Sequence, residues 1–211
     1  MIKAVIFDWN GVIADSLKLD HKLFLEDIKH HKIKVPRSMK FYKSLYNSNL
    51  FKNLLKLGFP REVLENDTSY KDRYIKQIRQ TKLFPGIKSL LETIHNKYKI
   101  AIITSNYNVT VDAFNKLYRI HNLFDSVLTA DSHRYKEEKI RIFLQKFSLQ
   151  KDEVIFIGDT LADIEICKKS GLKIIAVTWG YHERPRLKKA KPDFVADKPK
   201  DILKIISKVN S

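Results

Sequence analysis

Cysteine is almost missing from this chain. Cys167 is its only one, so no intrachain disulfide can form, and the simplest setting for such a chain is the reducing cytoplasm. Glycine and proline are scarce, six of each in 211 residues, which excludes collagen-like, low-complexity and linker-rich architectures. Apolar runs reach only four to six residues, far short of the ~20 that cross a bilayer. The first residues lead straight into such a run, without the pattern of an export signal. There is no arginine-rich tail and no zinc-finger spacing. Acidic residues are also in short supply, 24 against 40 lysines and arginines, for a net charge of +16. Charge of that sign attracts nucleic acids, anionic membranes and phosphorylated small molecules alike. Here it is spread along the whole chain as a lysine-rich solvated surface, so neither nucleic acid nor membrane is expected as a partner.

What is present is an ordinary globular content of apolar residues, 44%, enough for one α/β domain with a sizeable insertion. Val5, Ile6 and Phe7 form a short run of the kind buried on both faces of a sheet. It ends at Asp8, and Gly11 follows three positions later. A strand that ends in Asp and then turns at Gly puts a carboxylate at the carboxyl edge of a sheet, where open α/β sheets hold their ligands.

After Asp15 and Ser16 the pattern turns helical, over about 17–82. Leu19 and Leu23, Leu25 and Ile28, then Leu50, Leu54 and Leu57, then Tyr70, Tyr74 and Ile78 recur at three- and four-residue spacing, which predicts an insertion of about four helices. Gly58 and Pro60 break the run, with Pro60 placed to open the next helix. His30 and His31 are adjacent, so helical geometry splays them apart and favours surface over a metal site. Leu83 to Gly86 reads as a turn. Helices are then expected at about 87–96, 109–118, 136–147, 162–170 and 200–208, alternating with strands at 100–104, 126–129, 154–157, 173–177 and 194–195. That alternation predicts a doubly wound parallel sheet.

Three further strand ends carry chemistry. The strand at 100–103 runs into Thr104, Ser105 and Asn106, which offer a hydroxyl and backbone amides to an anion. The strand at 154–157 ends in Gly158 and Asp159, with Asp163 four residues on; two carboxylates at that spacing suit a hard cation such as Mg²⁺, or a helix cap. Lys136 opens the helix before that strand.

These stretches together, strand-DxxG, strand-Thr/Ser, Lys and strand-GDxxxD, resemble the four motifs of the haloacid dehalogenase-like hydrolases. The order is the same and the resemblance covers essentially the whole chain. It implies a Rossmann-like α/β core from residues 1–16 and 83–211, with a small helical cap at 17–82. The tail from Val177 to Tyr181, with Pro192 to Val195, is similar to the phosphoglycolate-phosphatase-like branch. Carried onto this chain, the resemblance makes Asp8 the nucleophile and gives Mg²⁺ to Asp8, Asp159 and the main-chain carbonyl of Asn10. Asp163 would support that site directly or from behind. Thr104 and Ser105 would hold phosphate oxygens, and Lys136 would supply a fixed positive charge. The implied activity is Mg²⁺-dependent hydrolysis of a small phosphorylated metabolite through an aspartyl-phosphate.

Two departures bear on this. The lysine lacks the Gly-Lys-Pro context of many relatives, so Arg134, Lys136 and Lys139 all remain candidates, with Lys136 preferred. Most phosphatases of the family carry Asp two residues past the nucleophile as the general acid and base, and here the residue is Asn10, which cannot exchange a proton near neutral pH. A phospho-ligand binder with weak turnover is therefore one alternative. A dehalogenase is another, disfavoured by Asn10 together with Asp159 and Asp163. Replacing Asn10 by Asp is expected to cost little packing. Lys18, Lys22, Lys43, Arg73 and Lys76 are candidate substrate contacts on the insertion, and Cys167 is expected in the core.

Overall fold

A computed structural model describes residues 1–65 and 68–211; residues 66 and 67, inside the expected helical stretch, lie outside the described residues. Strand β1 (Ala4–Phe7) is buried along its whole length. A turn leads to the two-residue β2 (Ala14–Asp15). Helices α1 (Leu17–His30), α2 (Met39–Ser44), α3 (Leu50–Lys56), α4 (Arg61–Glu65) and α5 (Thr68–Gln77) follow, and the chain returns through β3 (Lys82–Leu83). Then come α6 (Ile87–Ile94), β4 (Lys99–Ile103), α7 (Asn108–Leu117), β5 (Ser126–Leu128), α8 (Lys136–Lys146) and β6 (Val154–Gly158). The chain ends with α9 (Leu161–Ser170), β7 (Lys173–Val177), α10 (Arg184–Lys189), β8 (Phe194–Ala196) and α11 (Pro199–Asn210).

Six strands form one sheet in the order β5-β4-β1-β6-β7-β8, every pair parallel. The chain starts in the middle and winds outwards twice, as the alternation of helix and strand predicts. Side chains of β1 alternate between two cores. Val5 and Phe7 pack with α6, α7 and α11, through Leu91, Phe114 and Ile202 among others. Ala4 and Ile6 pack with α8 and α9, through Phe143, Ile164 and Cys167. Burial on both faces explains why the strands read as unbroken apolar runs.

The insertion has its own small apolar cluster around Phe24, Ile28, Tyr42, Leu45 and Phe59. It leaves and rejoins the sheet side through the antiparallel pair β2–β3, in which Ala14 faces Leu83 and Asp15 faces Lys82. Two expectations need correction. The insertion carries five helices among the described residues, with 3₁₀ turns at Leu45–Asn47 and Ile78–Gln80, because its apolar runs are broken more often than their spacing suggests. Helix α10 was not expected at all; five of its six residues are Arg, Pro or Lys, and a single buried apolar anchor, Leu187, sets no period. Among the described residues no helix is long and apolar enough to cross a membrane.

Ile6 lies at the centre of the sheet and is fully buried. Ile6→Ala should lower unfolding free energy by about 2–5 kcal/mol, measured by urea titration; a loss below ~1 kcal/mol would contradict the packing described.

Candidate active site

Parallel strands leave their carboxyl ends free of the crossover helices, and three adjacent strands deliver the polar residues there. Asp8 follows β1, Thr104 follows β4, and Asp159 follows β6. Lys136, the first residue of α8, reaches the same place, with its Nζ 2.7 Å from Asp8 Oδ2 and 2.8 Å from Asp163 Oδ1. The backbone N–H of Trp9 donates to Asp8 Oδ1 at 2.7 Å. Gly11 takes a left-handed conformation (φ 74°), and a Cβ there would lie 2.0 Å from Asp159 Oδ2. No residue but glycine could let the turn after β1 come this close.

One carboxylate oxygen from each of Asp8, Asp159 and Asp163 lies within 4.8 Å of the others, and all three residues are buried. Asp163 doubles as a cap of α9: its Oδ2 accepts from Thr160 N at 3.1 Å and from Thr160 Oγ1 at 2.6 Å. Both its oxygens are therefore engaged. Asp159 Oδ2 accepts the Tyr181 N–H at 2.6 Å, while its Oδ1 is enclosed with no partner. Three carboxylates meet one ammonium, leaving a surplus of negative charge that burial makes costly. The surplus shifts the proton affinities of the groups that share it. Burial raises Asp8 from its ordinary 3.8 to about 6, against the pull of Lys136 and with a further push from Asp163. Burial, then Asp163 and Asp8, hold Asp159 well above its ordinary range. Burial alone would lower Lys136, but Asp163 and Asp8 overcome it and raise it. An orphaned buried oxygen among crowded hard-oxygen ligands is the donor set a small divalent cation satisfies.

Of the three candidate cations, only Lys136 forms an ion pair with Asp8. Lys139 is fully buried and donates to the carbonyls of Thr104 and, at 3.2 Å, Thr129. It ties the ends of β4 and β5 together, and burial followed by the charge of Lys136 lowers it to about 7. Arg134 donates to the Leu64 carbonyl at 2.7 Å and sits 4.4 Å over the Phe51 ring. Thr104 Oγ1 lies 3.5 Å from Asn10 Oδ1 and accepts the Asn106 N–H at 3.1 Å. Ser105 is exposed on the loop that follows. Asp8, Asn10, Thr104, Ser105, Lys136 and Asp163 together line one side of a cavity of about 200 Å³, and the insertion helices line the other. Asp159 is sealed behind it.

Asn10 is held firmly. Its Nδ2 donates to Asp20 Oδ2 at 2.8 Å and to Ser16 Oγ at 2.9 Å. Asp20 also accepts from the hydroxyls of Tyr181 and, at 3.4 Å, Tyr70. Burial raises the Asp20 carboxyl against the hydrogen bonds of Tyr181, Ser16, Asn10 and Tyr70. This network joins core to insertion, and none of Ser16, Asp20 or Tyr181 was singled out from sequence as a site residue. One signal for Asp20 was available: it shares a helix face with Leu23 and Phe24, three and four residues on. Asn10→Asp, a close match in size, would set its new carboxylate against that of Asp20 at hydrogen-bonding distance, so its cost is one of charge rather than of packing. None of Lys18, Lys22, Lys43, Arg73 or Lys76 lines the cavity. Cys167 is in the core and His30 is exposed, as expected.

The sequence profile of the haloacid dehalogenase-like hydrolases matches residues 5–177. Pyrophosphatase PpaX of Bacillus mycoides is 28% identical over 227 residues, covering 99% of both chains. A phosphoglycolate phosphatase of Synechococcus elongatus is 28% identical over 129 residues, 61% of each chain. Among solved structures, a haloacid dehalogenase-like hydrolase from Streptococcus pneumoniae superposes with a TM-score of 0.81 at 28% identity, covering 97% of this chain and 98% of the other. A predicted phosphatase from Clostridium acetobutylicum gives 0.84 at 22% identity over 99% of each chain, a likeness of fold. With its four motifs gathered at one sheet edge, this chain belongs to the haloacid dehalogenase-like hydrolases.

Proposed function

We propose that this chain is a Mg²⁺-dependent phosphatase of a small phosphorylated metabolite, with residues 17–82 as the cap over its active site. The observation that carries the reading is a buried carboxylate, Asp8, on the wall of a cavity between core and insertion and paired at 2.7 Å with the ammonium of Lys136. Relatives named as pyrophosphatase and phosphoglycolate phosphatase support the reaction class. Asp8 attacks phosphorus, its oxygen bonding as the bond to the leaving alcohol breaks and takes its electron pair away. Water then attacks the phosphorus of the aspartyl-phosphate, which releases inorganic phosphate and restores Asp8. Lys136 holds the Asp8 carboxylate in position and faces the negative charge of the transferring group. Thr104 Oγ1 and the Ser105 amide hold phosphate oxygens. Asp8, Asp159 and the Asn10 carbonyl would ligate Mg²⁺, with Asp163 fixing Lys136 and the turn behind it. The cation supplies charge neutralisation between the carboxylates and an anionic substrate.

Asp8→Ala should reduce phosphate-ester hydrolysis to background while circular dichroism stays unchanged. Excess chelator should stop the wild-type enzyme and Mg²⁺ should restore it. More than about a tenth of wild-type turnover in Asp8→Ala, or full activity in chelator, would refute the reading.

The metal site has a readout apart from turnover. Asp8 holds its proton more tightly folded than unfolded, so stability in chelator falls as pH rises from about 4 to about 6, and Asp159, shifted in the same direction, adds to the fall. At pH 8 in chelator, Asp159→Asn should melt above wild type by at least ~3 °C, the shift produced by roughly 1 kcal/mol in a chain this size. The gap should shrink towards pH 5. Mg²⁺ should raise the wild-type melting temperature and raise that of Asp159→Asn much less. Equal responses would remove Asp159 from the site.

A second reading, a phospho-ligand binder with slow turnover, is favoured by Asn10, whose amide is locked by Asp20 and Ser16. The two readings part on a charge swap. Asn10→Asp alone sets two carboxylates against each other, tolerable only with a shared proton, so it should lose stability at pH 8 and recover towards pH 5. Asn10→Asp with Asp20→Asn restores a donor to the new carboxylate and should abolish that pH dependence. The double variant should turn over alkyl phosphates about 10²-fold or more faster than the parent. An unchanged rate in a stable double variant would favour the binder.

A further inference from the structure

The part of the cavity away from Asp8 has a chemistry that neither pyrophosphate nor phosphoglycolate matches. Either molecule presents a second anionic group once its phosphate is at Asp8, and a site for it needs a second cation. Among the described residues the cavity is lined by two cations only, Lys136 and Arg134. Lys136 is spent between Asp8 and Asp163. Arg134 is drawn onto the insertion, its Nη1 on the Leu64 carbonyl and its plane against Phe51. Against these stand Asp20 and Asp27, which also line the cavity. Asp27 is offset by Arg73, and Asp20, already held by hydrogen bonds from Asn10 and two tyrosines, offers a free anion no attraction.

Most of the rest of that wall is rings and aliphatic groups, among them Phe24, Tyr46, Phe51, Leu54, Tyr70 and Tyr107, with Ser48 and Asn49 as neutral polar residues already bonded to Asn53 and to the Lys52 N–H. The tyrosine hydroxyls have partners elsewhere. Tyr46 pairs with Tyr42 at 2.8 Å, Tyr70 donates to Asp20 at 3.4 Å, and Tyr107 donates to the Leu64 carbonyl at 3.3 Å. What they leave to a ligand is ring surface. The acids do not turn this into a cage for a cation, because Asp27 is paired with Arg73 and Asp20 takes hydrogen bonds from Asn10 and two tyrosines.

We infer that the substrate is a phosphate monoester of an uncharged, apolar or aromatic alcohol, with its phosphate at Asp8 and its carbon skeleton against the rings of the insertion. The inference rests on the phosphatase reading above and assigns the leaving group. Apolar walls contribute affinity in proportion to the apolar area they cover, and a pocket without a polar partner gives little to a second anion.

The test compares kcat/KM for esters whose leaving groups are all poor, so that recognition rather than leaving-group chemistry sets the order. The panel is 2-phenylethyl phosphate, ethyl phosphate, phosphoglycolate and phosphocholine, with pyrophosphate assayed beside them. 2-Phenylethyl phosphate should exceed each of the others by at least tenfold, mainly through KM. Leu54→Arg should shrink or invert the preference over phosphoglycolate, and Leu54→Ala should reduce the ratio of phenylethyl to ethyl ester. Hydrolysis that favours phosphoglycolate, pyrophosphate or phosphocholine, or that treats ethyl and phenylethyl esters alike, overturns this inference and leaves the phosphatase reading standing. Hydrolysis of none of the five overturns both.

Discussion

The ammonium of Lys136, buried between the carboxylates of Asp8 and Asp163, is the interaction on which the centre depends. Without it, three buried carboxylates would repel one another across a few ångströms of low dielectric. With it, the strand ends that carry Asp8, Asp159 and Asp163 can come together. Each neighbouring device serves the same end. Thr160 caps α9 through Asp163, Tyr181 donates its backbone N–H to Asp159, and the glycine after β1 admits Asp159 Oδ2 at a distance no side chain would allow. The residual imbalance is an unpartnered Asp159 oxygen and an Asp8 that titrates near 6.

Most of the core was legible because its signals are local. A parallel strand buried on both faces writes an unbroken apolar run, and Asp8, Thr104 and Asp159 each stand where such a run stops. The same locality preferred Lys136 among three nearby cations without separating it from the other two. Choosing it required the third dimension, where Arg134 turns to Leu64 and Lys139 to Thr104. The network around Asn10 was illegible for a related reason. Asp20 and Tyr181 meet across 161 residues, and nothing in either neighbourhood announces the other. Helix α10 escaped because it is held by one buried leucine among basic residues.

Charge has different meanings at different depths of this molecule. The chain carries +16 overall, yet the cavity is lined by four aspartates against one lysine and one arginine. The excess of lysine lies outside, where water screens it. A bulk property that seems to promise an anion-binding protein therefore says little about the wall a ligand meets. That wall owes its character to aromatic residues of the insertion.

The pairing of Ala14 with Leu83 and of Asp15 with Lys82 brings the exit and the re-entry of the chain side by side. Neighbouring strands are about 4.8 Å apart, so the core asks one thing of whatever is spliced between them: that its two ends meet at that spacing. The length, helix count and ligand taste of the spliced segment are invisible to the sheet. The strand ends are bound to one another by charge, while the spliced segment could be lengthened, shortened or exchanged through a doorway one strand pair wide.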